Sequence, residues 1–389
     1  MEHFWEKSGW EKEDLHLKKL ASFPFQRSFP FIPEKPGLYV IRGPRQIGKS
    51  SWLKTILSHH CRQKKCFYLS CENITDYKEL AEILKSVRHY SVVLLDEINF
   101  ADEWDRAIKH EIDCGHTNIL MITGSHAYDL KQGADRMPGR FDHGGEFLLL
   151  PMDFEEFHRM RLQAGWKTKS RLNELQLYFR IGGFPTAVAE AGATGKSPAK
   201  AMNTYLQWLT GDVIKLGKQE TYLKELLIQL ALCLQTPVSL QTLAKKTSIG
   251  SHNTIQEYLS VLESCFALKT LYAVDPHSGS FRFKKNKKFY FTDPLLYWIA
   301  LDLAGKKTPP NVEEKLAEMV AHETLSRKYK RFGYFDGPHG EIDFFLPQSW
   351  ALEVKWSPIP LNLSSSYKKM PITEKIVWTH SNFLKEFPG

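Results

Sequence analysis

The sequence lacks the features of membrane, secreted and zinc-binding proteins. No apolar run approaches the roughly 18 residues of a membrane span, and the first ten residues mix acids, bases and tryptophans, unlike a signal peptide. The six cysteines form no Cys-x-x-Cys pair, which argues against a zinc site at Cys61, Cys66 and Cys71. We therefore expect a cytoplasmic protein with no membrane segment and reduced thiols.

The composition is that of a folded chain with an excess of positive charge. The 389 residues are 42% hydrophobic and 25% charged, which indicates a globular protein of two or three domains. The net charge of +8 makes a polyanionic partner plausible without identifying one.

A glycine-rich loop lies between a predicted strand and a predicted helix near the N-terminus. The strand is Gly37–Ile41, and helical spacing follows from Ser51. The loop between them has the pattern G-x-x-x-x-G-K-[ST], in which backbone N–H groups and the helix N-terminus hold phosphate. Lys49 would reach the β- and γ-phosphates of ATP, and the Ser50 hydroxyl would bind Mg²⁺. The predicted nucleotide contacts are Gly43, Pro44, Arg45, Gln46, Ile47, Gly48, Lys49, Ser50 and Ser51.

Two later apolar runs end in polar residues. The run from Val92 ends in Asp96 and Glu97, and the run from Asn118 ends in Thr123, Gly124 and Ser125. At the carboxyl end of a buried strand beside the loop, Asp96 would hold Mg²⁺ through water, and Glu97 would be the general base. Thr123 or Ser125 would contact the γ-phosphate or the attacking water. Strands that alternate with helices predict a parallel sheet covered on both faces.

These motifs, with Gly139-Arg140 before the next strand, resemble those of AAA+-type ATPases. More narrowly, they resemble a prokaryotic family of ATP-binding proteins in which a helical lid, a winged helix and a nuclease-like domain follow the ATPase. The resemblance implies a homo-oligomer in which Arg140, or Arg136, acts in trans as an arginine finger. The stretch Arg180–Pro185 is similar to the lid signature of that family, which implies a turn near the adenine that includes Pro185.

Residues 225–293 have the pattern of a winged helix. Asn253–Glu263 is the candidate recognition helix, but only Asn253 and Gln256 in it are suited to reading bases. The hairpin that follows carries a dense run of cations, which would neutralise phosphates in a salt-dependent manner. We therefore expect DNA binding that is not sequence-specific. The predicted contacts are Arg282, Lys284, Lys285, Lys287 and Lys288.

The last predicted strands bring two carboxylates and a lysine together. A hairpin of Gly340–Leu346 and Trp350–Lys355 would place Asp343 near Glu353 and Lys355. Such a set can hold Mg²⁺ and position a water for phosphodiester attack. It resembles the core of PD-(D/E)xK nucleases, with Glu318 on the preceding helix matching the first metal-binding glutamate. Mn²⁺ would serve at this site as well as Mg²⁺.

We predict an α/β protein with an AAA+-like P-loop ATPase sheet, a helical lid, a winged helix and a restriction-endonuclease-like α/β domain. Its predicted function is ATP hydrolysis coupled to action on DNA, through a metal-dependent nuclease-like module that cuts phosphodiester bonds. The alternative is an ATP-dependent switch, or a DNA-binding regulator, whose nuclease-like domain is an inert docking module. The predicted segments are an arm (1–36), the ATPase core (37–155), the lid (156–224), the winged helix (225–304) and the nuclease-like domain (305–389).

Overall fold

The computed structural model describes residues 4–115, 118–124, 130, 133–135, 137–358 and 363–388. The chain divides into two compact units. Unit 1 contains residues 1–151 and 159–165, and unit 2 contains residues 152–158 and 166–389. The finer division predicted above stays a prediction.

Unit 1 is built on a five-stranded parallel sheet in the order β2-β3-β4-β1-β5. Every residue of β3 and β4 is buried, because parallel strands covered on both faces need apolar side chains on both. This confirms the predicted parallel sheet. The strands are β1 (Gly37–Arg42), β2 (Cys66–Ser70), β3 (Val92–Asp96), β4 (Ile119–Thr123) and β5 (Gly145–Leu148).

Helices connect the strands of this sheet. Asp76 caps α3 by accepting hydrogen bonds from the N–H groups of Lys78 and Glu79, which satisfies two N–H groups in the first turn of the helix. Short 3₁₀ turns lie at Phe4–Glu6, Trp10–Lys12, Cys71–Asn73 and Ile98–Phe100. The helices are α1 (Leu15–Ala21), α2 (Lys49–His60), α3 (Tyr77–Ser86) and α4 (Trp104–Asp113).

The N-terminal segment packs on the sheet and on α2. The Trp5 indole donates to the Cys66 carbonyl (3.0 Å), and the Phe29 ring stacks on Trp52. Lys54 of α2 forms an ion pair of 2.5 Å with Asp14. These contacts bury aromatic surface that the sheet would otherwise leave exposed.

Helices dominate the first half of unit 2. The α5 helix (Phe154–Gln163) begins in unit 2 and ends in unit 1. The helices that follow are α6 (Arg171–Ile181), α7 (Pro185–Ala191), α8 (Ala199–Lys215), α9 (Glu220–Leu232), α10 (Leu240–Lys245) and α11 (His252–Ser264). After α11 come the antiparallel strands β6 (Leu268–Tyr272) and β7 (Lys287–Phe291), then α12 (Pro294–Leu303).

A four-stranded sheet closes unit 2, in the order β11-β10-β9-β8. Strands β8, β9 and β10 are antiparallel, and β11 pairs with β10 in parallel. The long helix α13 precedes this sheet, and α14 lies between β10 and β11. The bounds are α13 (Val312–Lys328), β8 (Gly333–Gly337), β9 (Gly340–Leu346), β10 (Trp350–Val354), α14 (Ser365–Lys369) and β11 (Glu374–Trp378). In the described ranges, no helix combines the length and the apolarity that a bilayer crossing requires.

Candidate functional site

The loop between β1 and α2 depends on two glycines for different reasons. A Cβ at Gly43 would lie 2.1 Å from the Leu149 carbonyl oxygen, so only glycine allows the chain to leave β1 there. Gly48 has a φ of +106° at the N-cap of α2, which side-chain-bearing residues rarely adopt. The loop therefore turns tightly enough to present its N–H groups before the helix N-terminus.

The Lys49 side chain folds back over this loop. Its ammonium donates to the carbonyl oxygens of Gly43 and Pro44, each at 2.9 Å, and the residue is buried. A cation held in this position can exchange the two carbonyls for phosphate oxygens. Ser50 is the second residue of α2, so its side chain lies at the same helix terminus, where it is half-buried.

Asp96 lies at the end of β3, two strands from the start of the loop. Ile41 of β1 pairs with Thr123 of β4, and the Thr123 hydroxyl donates to Asp96. The Tyr68 hydroxyl donates to the other Asp96 oxygen at 3.0 Å. Each carboxylate oxygen still has lone-pair capacity, so the group fits a role of holding Mg²⁺ through water.

Thr123, one of the two residues predicted to contact the γ-phosphate or the attacking water, forms hydrogen bonds within unit 1. The Thr123 side chain is buried, and its hydroxyl also accepts the Glu97 N–H at 3.3 Å. Thr123 therefore positions Asp96 and Glu97, and its own contact with phosphate or water stays a prediction. Nothing in the sequence indicated the Tyr68 contact, because it joins strands 28 residues apart.

Glu97 and Asn99 follow Asp96 at the same edge of the sheet. Glu97 is half-buried with a φ of +54°, a conformation that turns the chain sharply after β3. Both polar atoms of the Asn99 amide are buried without a hydrogen-bond partner, close to Gly124. Buried amides are normally paired, so Asn99 is a candidate ligand contact that sequence analysis missed.

Other predicted nucleotide contacts have different outcomes. Ser125 and Arg136 lie outside the described residues. Arg140 is engaged within its own chain, where Nε and Nη2 donate to the two oxygens of Asp113 at 2.7 and 3.2 Å. An arginine finger at Arg140 would have to break this bidentate pair first.

The turn before Pro185 belongs to unit 2 and is held by a hydrogen bond to the Asp293 side chain. The Asp293 carboxylate accepts the Gly183 N–H at 2.7 Å and the Leu295 N–H at 2.8 Å. A Cβ on Gly182 would lie 2.0 Å from Asp293 Oδ1, which explains a glycine at that position. Pro185 is buried as the first residue of α7, and its contact with adenine stays a prediction.

A second cluster of charged side chains lies in unit 2. The Lys288 side chain is only 1% exposed, and its ammonium lies 3.0 Å from Glu318 Oε1 and 3.8 Å from Asp343 Oδ1. It also forms an ion pair with Glu341. Tyr290 donates to Glu318 Oε1 at 2.5 Å. Three carboxylates from α13 and β9 thus surround one buried cation, and Tyr290 of β7 holds one of them.

The neighbouring strand adds Glu353 and Lys355 to this cluster. Lys355 Nζ lies 2.7 Å from Glu353 Oε2, while Glu353 Oε1 is buried without a partner. Asp343 Oδ2 accepts the Val354 N–H at 2.9 Å, which ties β9 to β10. Asp343, Glu353 and Lys355 therefore come together as the sequence predicted. Glu318 joins them, whereas Glu323 of the same helix pairs with Lys269 and Arg327.

Burial has the largest effect on the pKa values of Glu318, Glu353 and Lys288 in this cluster. It raises the pKa of Glu318 to about 7 despite the opposing effect of Lys288. It raises the pKa of Glu353 to about 7 as well, and the Asp343 charge adds to that effect. Burial alone would lower the pKa of Lys288, but the carboxylates, Glu318 foremost, raise it well above its usual value. The ammonium is therefore charged at neutral pH.

The predicted metal ligands Glu318, Asp343 and Glu353 do not form a tight group of oxygens in the structure. Within the described residues, oxygens from Glu318, Asp343 and Glu353 are not all within 4.8 Å of one another. Among those same residues, one group of potential ligands is that close: Glu34, His59 and His60 of unit 1. Glu318, Glu341 and Asp343 instead converge on Lys288, and Glu353 pairs with Lys355, so the arrangement does not fit a divalent ion while the Lys288 ammonium is there.

This geometry also corrects one of the predicted DNA contacts. Lys288 cannot bind phosphate from solvent, because it is buried and ion-paired. Residues in the loop before β7 are more accessible than Lys288. Lys284 is exposed, and Phe283 is 61% exposed. Arg282 pairs with Asp275, Lys285 lies 3.8 Å from Asp336, and Lys287 donates to the Phe283 carbonyl.

The parallel sheet and the glycine-rich loop define the class of unit 1: it has a P-loop nucleotide-binding fold. Residues 35–158 match the family model of the AAA domain, and residues 172–307 match that of a domain of unknown function (DUF8612). An uncharacterized protein of Methanocaldococcus jannaschii is 28% identical over 168 residues. That match covers 40% of this chain and 36% of the relative, so the two share only part of their length.

Solved structures resemble the chain more loosely. A Walker-type ATPase of Pyrococcus abyssi is 14% identical with a TM-score of 0.45, covering 75% of this chain and 95% of that structure. AMPPCP-bound DnaA of Aquifex aeolicus is 12% identical with a TM-score of 0.31, covering 68% and 89%. These scores are too low to carry conclusions about this chain.

Proposed function

We propose that this protein is an ATPase that uses Mg²⁺ and acts on DNA. The observation that carries the ATPase part is the inward-held ammonium of Lys49, at a helix N-terminus beside the strand end that bears Asp96 and Glu97. Backbone N–H groups of the loop bind the phosphates, and Lys49 neutralises the β- and γ-phosphate charge.

Hydrolysis is assigned to the residues at the carboxyl edge of the sheet. The metal would be held by Ser50 and, through water, by Asp96, and it supplies neutralisation of charge on the phosphates. Glu97 takes a proton from the attacking water as general base. Thr123 holds Asp96 and the Glu97 backbone in place, and the Asn99 amide offers a hydrogen bond to the water or to the γ-phosphate.

Phosphate release from ATP tests this proposal. Purified protein should release phosphate with Mg²⁺ and stop when the metal is chelated by EDTA. Binding of ATP without turnover would support the switch alternative. If the protein neither binds nor hydrolyses ATP, the proposal is wrong.

The action on DNA rests on the loop between β6 and β7. Phe283 is exposed between the cations Arg282 and Lys284, an arrangement suited to stacking on a base while the cations neutralise phosphates. Side chains of this kind do not read sequence, so we expect binding to be non-specific. Neutralising Lys284, Lys285 and Lys287 together should weaken DNA binding and flatten its salt dependence by up to about three units of slope. Fluorescence anisotropy across salt concentrations measures both, and an unchanged slope would contradict the proposal.

The C-terminal sheet and α13 support a PD-(D/E)xK-like module, in which cleavage and inert docking are the rival functions. Helix α13 carries Glu318, and the adjacent strands β9 and β10 carry Asp343 and Glu353, the residues on which the resemblance rests. The ion pairs of Lys288 favour the docking alternative, because the carboxylates already neutralise an internal cation. Incubation of the protein with linear and branched DNA and with Mg²⁺ or Mn²⁺ tests this directly. Cleavage that the Asp343→Ala substitution abolishes would favour the nuclease function over inert docking.

A further inference from the structure

The carboxylate cluster of unit 2 encloses a cation supplied by the protein itself. Lys288 projects from β7, in the two-stranded sheet, and reaches Glu318 on α13 and Asp343 and Glu341 on β9. Its side chain is as buried as any in the core. Buried carboxylates require a counter-charge, and here one ammonium serves three of them.

The ammonium and a divalent ion would compete for the same oxygens. An ammonium is a compact point charge with three donors, and three acidic groups face it here. Oxygen ligands of this kind are also what Mg²⁺ and Mn²⁺ bind. A second cation beside Lys288 would meet strong repulsion, because charges interact more strongly away from water.

Another ligand is available once the ammonium is gone. Glu353 Oε1 is buried without a hydrogen-bond partner, although the other oxygen pairs with Lys355. Asp343 accepts the N–H of Val354, the residue next to Glu353, and the Asp343 charge helps to raise the pKa of Glu353. Removing Lys288 would therefore leave a buried group of acids with no neutralising charge at its centre.

We infer that the Lys288 ammonium takes the place of the divalent metal in this cluster and prevents the native protein from binding one there. The cation joins β7 to α13 and β9, so it stabilises unit 2 as a metal ion otherwise would. This inference is independent of ATP hydrolysis, since no residue of the glycine-rich loop takes part.

The test compares Mn²⁺ binding by native protein and by Lys288→Ala, both without nucleotide. Calorimetry and the electron paramagnetic resonance signal of free Mn²⁺ report binding without relying on any activity. Lys284→Ala is the matched control, since it removes an exposed lysine from the same loop. The double variant Lys288→Ala/Asp343→Asn identifies the site, because binding elsewhere would survive it.

The native protein and Lys284→Ala should not bind Mn²⁺ at this cluster. Adding Asp343→Asn to either of them should therefore leave Mn²⁺ binding unchanged. Lys288→Ala should unfold at a lower temperature than native protein in EDTA. Mn²⁺ at about 100 times its Kd should then raise the melting temperature by about 5–10 °C. The double variant should show no such rise.

Two results would overturn the inference. One is Mn²⁺ binding by native protein that Asp343→Asn removes, because Lys288 then does not exclude the metal. The other is a Lys288→Ala variant that gains no metal affinity. If that variant does not fold in EDTA, refolding in Mn²⁺ decides the matter: recovery of folded protein supports the inference, and failure to recover opposes it.

Discussion

Replacing Lys49 by methionine tests the nucleotide site at its central charge. Methionine keeps the length and burial of the side chain but removes the ammonium that donates to Gly43 and Pro44. A hydrogen bond from a charged group contributes about 1.5–3 kcal/mol. When ATP binds, the Lys49 ammonium gives up its hydrogen bonds to two carbonyl oxygens and donates to two phosphate oxygens instead. We therefore take its net contribution to the free energy of ATP binding as that of about one hydrogen bond from a charged group. We expect the Kd for Mg-ATP to rise roughly 10- to 150-fold.

Lys54→Met is the matched control for this change. Lys54 is a second buried lysine of α2, and it pairs with Asp14 rather than with the loop. Both variants should lower the free energy of unfolding by about 1–3 kcal/mol, because each leaves buried acceptors without a donor. Only Lys49→Met should weaken nucleotide binding. Urea unfolding measures the first quantity, and titration with a fluorescent ATP analogue measures the second.

The reasoning fails if Lys49→Met binds Mg-ATP within twofold of native protein. It also fails if Lys54→Met weakens binding as much, since the effect would then come from loss of stability and not from a lost phosphate contact.

Two further predictions concern Glu97 and Asp293. Glu97→Gln should keep the affinity for ATP but slow phosphate release by about 10²- to 10⁴-fold, because the amide cannot accept the proton of the attacking water; single-turnover kinetics measures this. Burial raises the pKa of Asp293 to about 7 from 3.8, although two N–H groups oppose that effect. The folded state therefore holds the proton longer than the unfolded state, and the stability from this residue, complete below pH 4, is lost as the pH rises to 7. The advantage of native protein over Asp293→Asn should decline by about 1 kcal/mol per pH unit across that range, and urea unfolding that shows no decline would contradict the assignment.

Several elements were predictable from the sequence because short windows contain the information. The pattern of the glycine-rich loop, with a buried strand before it and a helix after it, identified the P-loop. The predicted bounds of β9 agree with the structure, in which the strand begins at Gly340 and ends at Leu346. The pairing of β9 with β10 was also predictable, because alternation and a short turn determine which residues face each other.

The charged residues of unit 2 show what a local pattern cannot decide. Five cations in seven residues indicate a solvated, phosphate-binding surface, and four of them lie at least partly exposed in the loop before β7 or at its start. Lys288 differs because it packs against partners 30 to 55 residues away along the chain. No window around β7 contains Glu318 or Asp343, so its burial could not be foreseen. Likewise, no local pattern indicated that the neighbouring strand supplies Asp96 as the hydrogen-bond partner of Thr123.

The sequence by itself determined the nucleotide-binding loop, the order of strands and helices, and the acids at the strand ends. These depend on backbone preferences and on side-chain periodicity, which act between near neighbours in the chain. Only the tertiary structure decided which charges meet. Burial makes an unpaired charge costly, so each buried ion is paired with whichever group the folded chain brings to it.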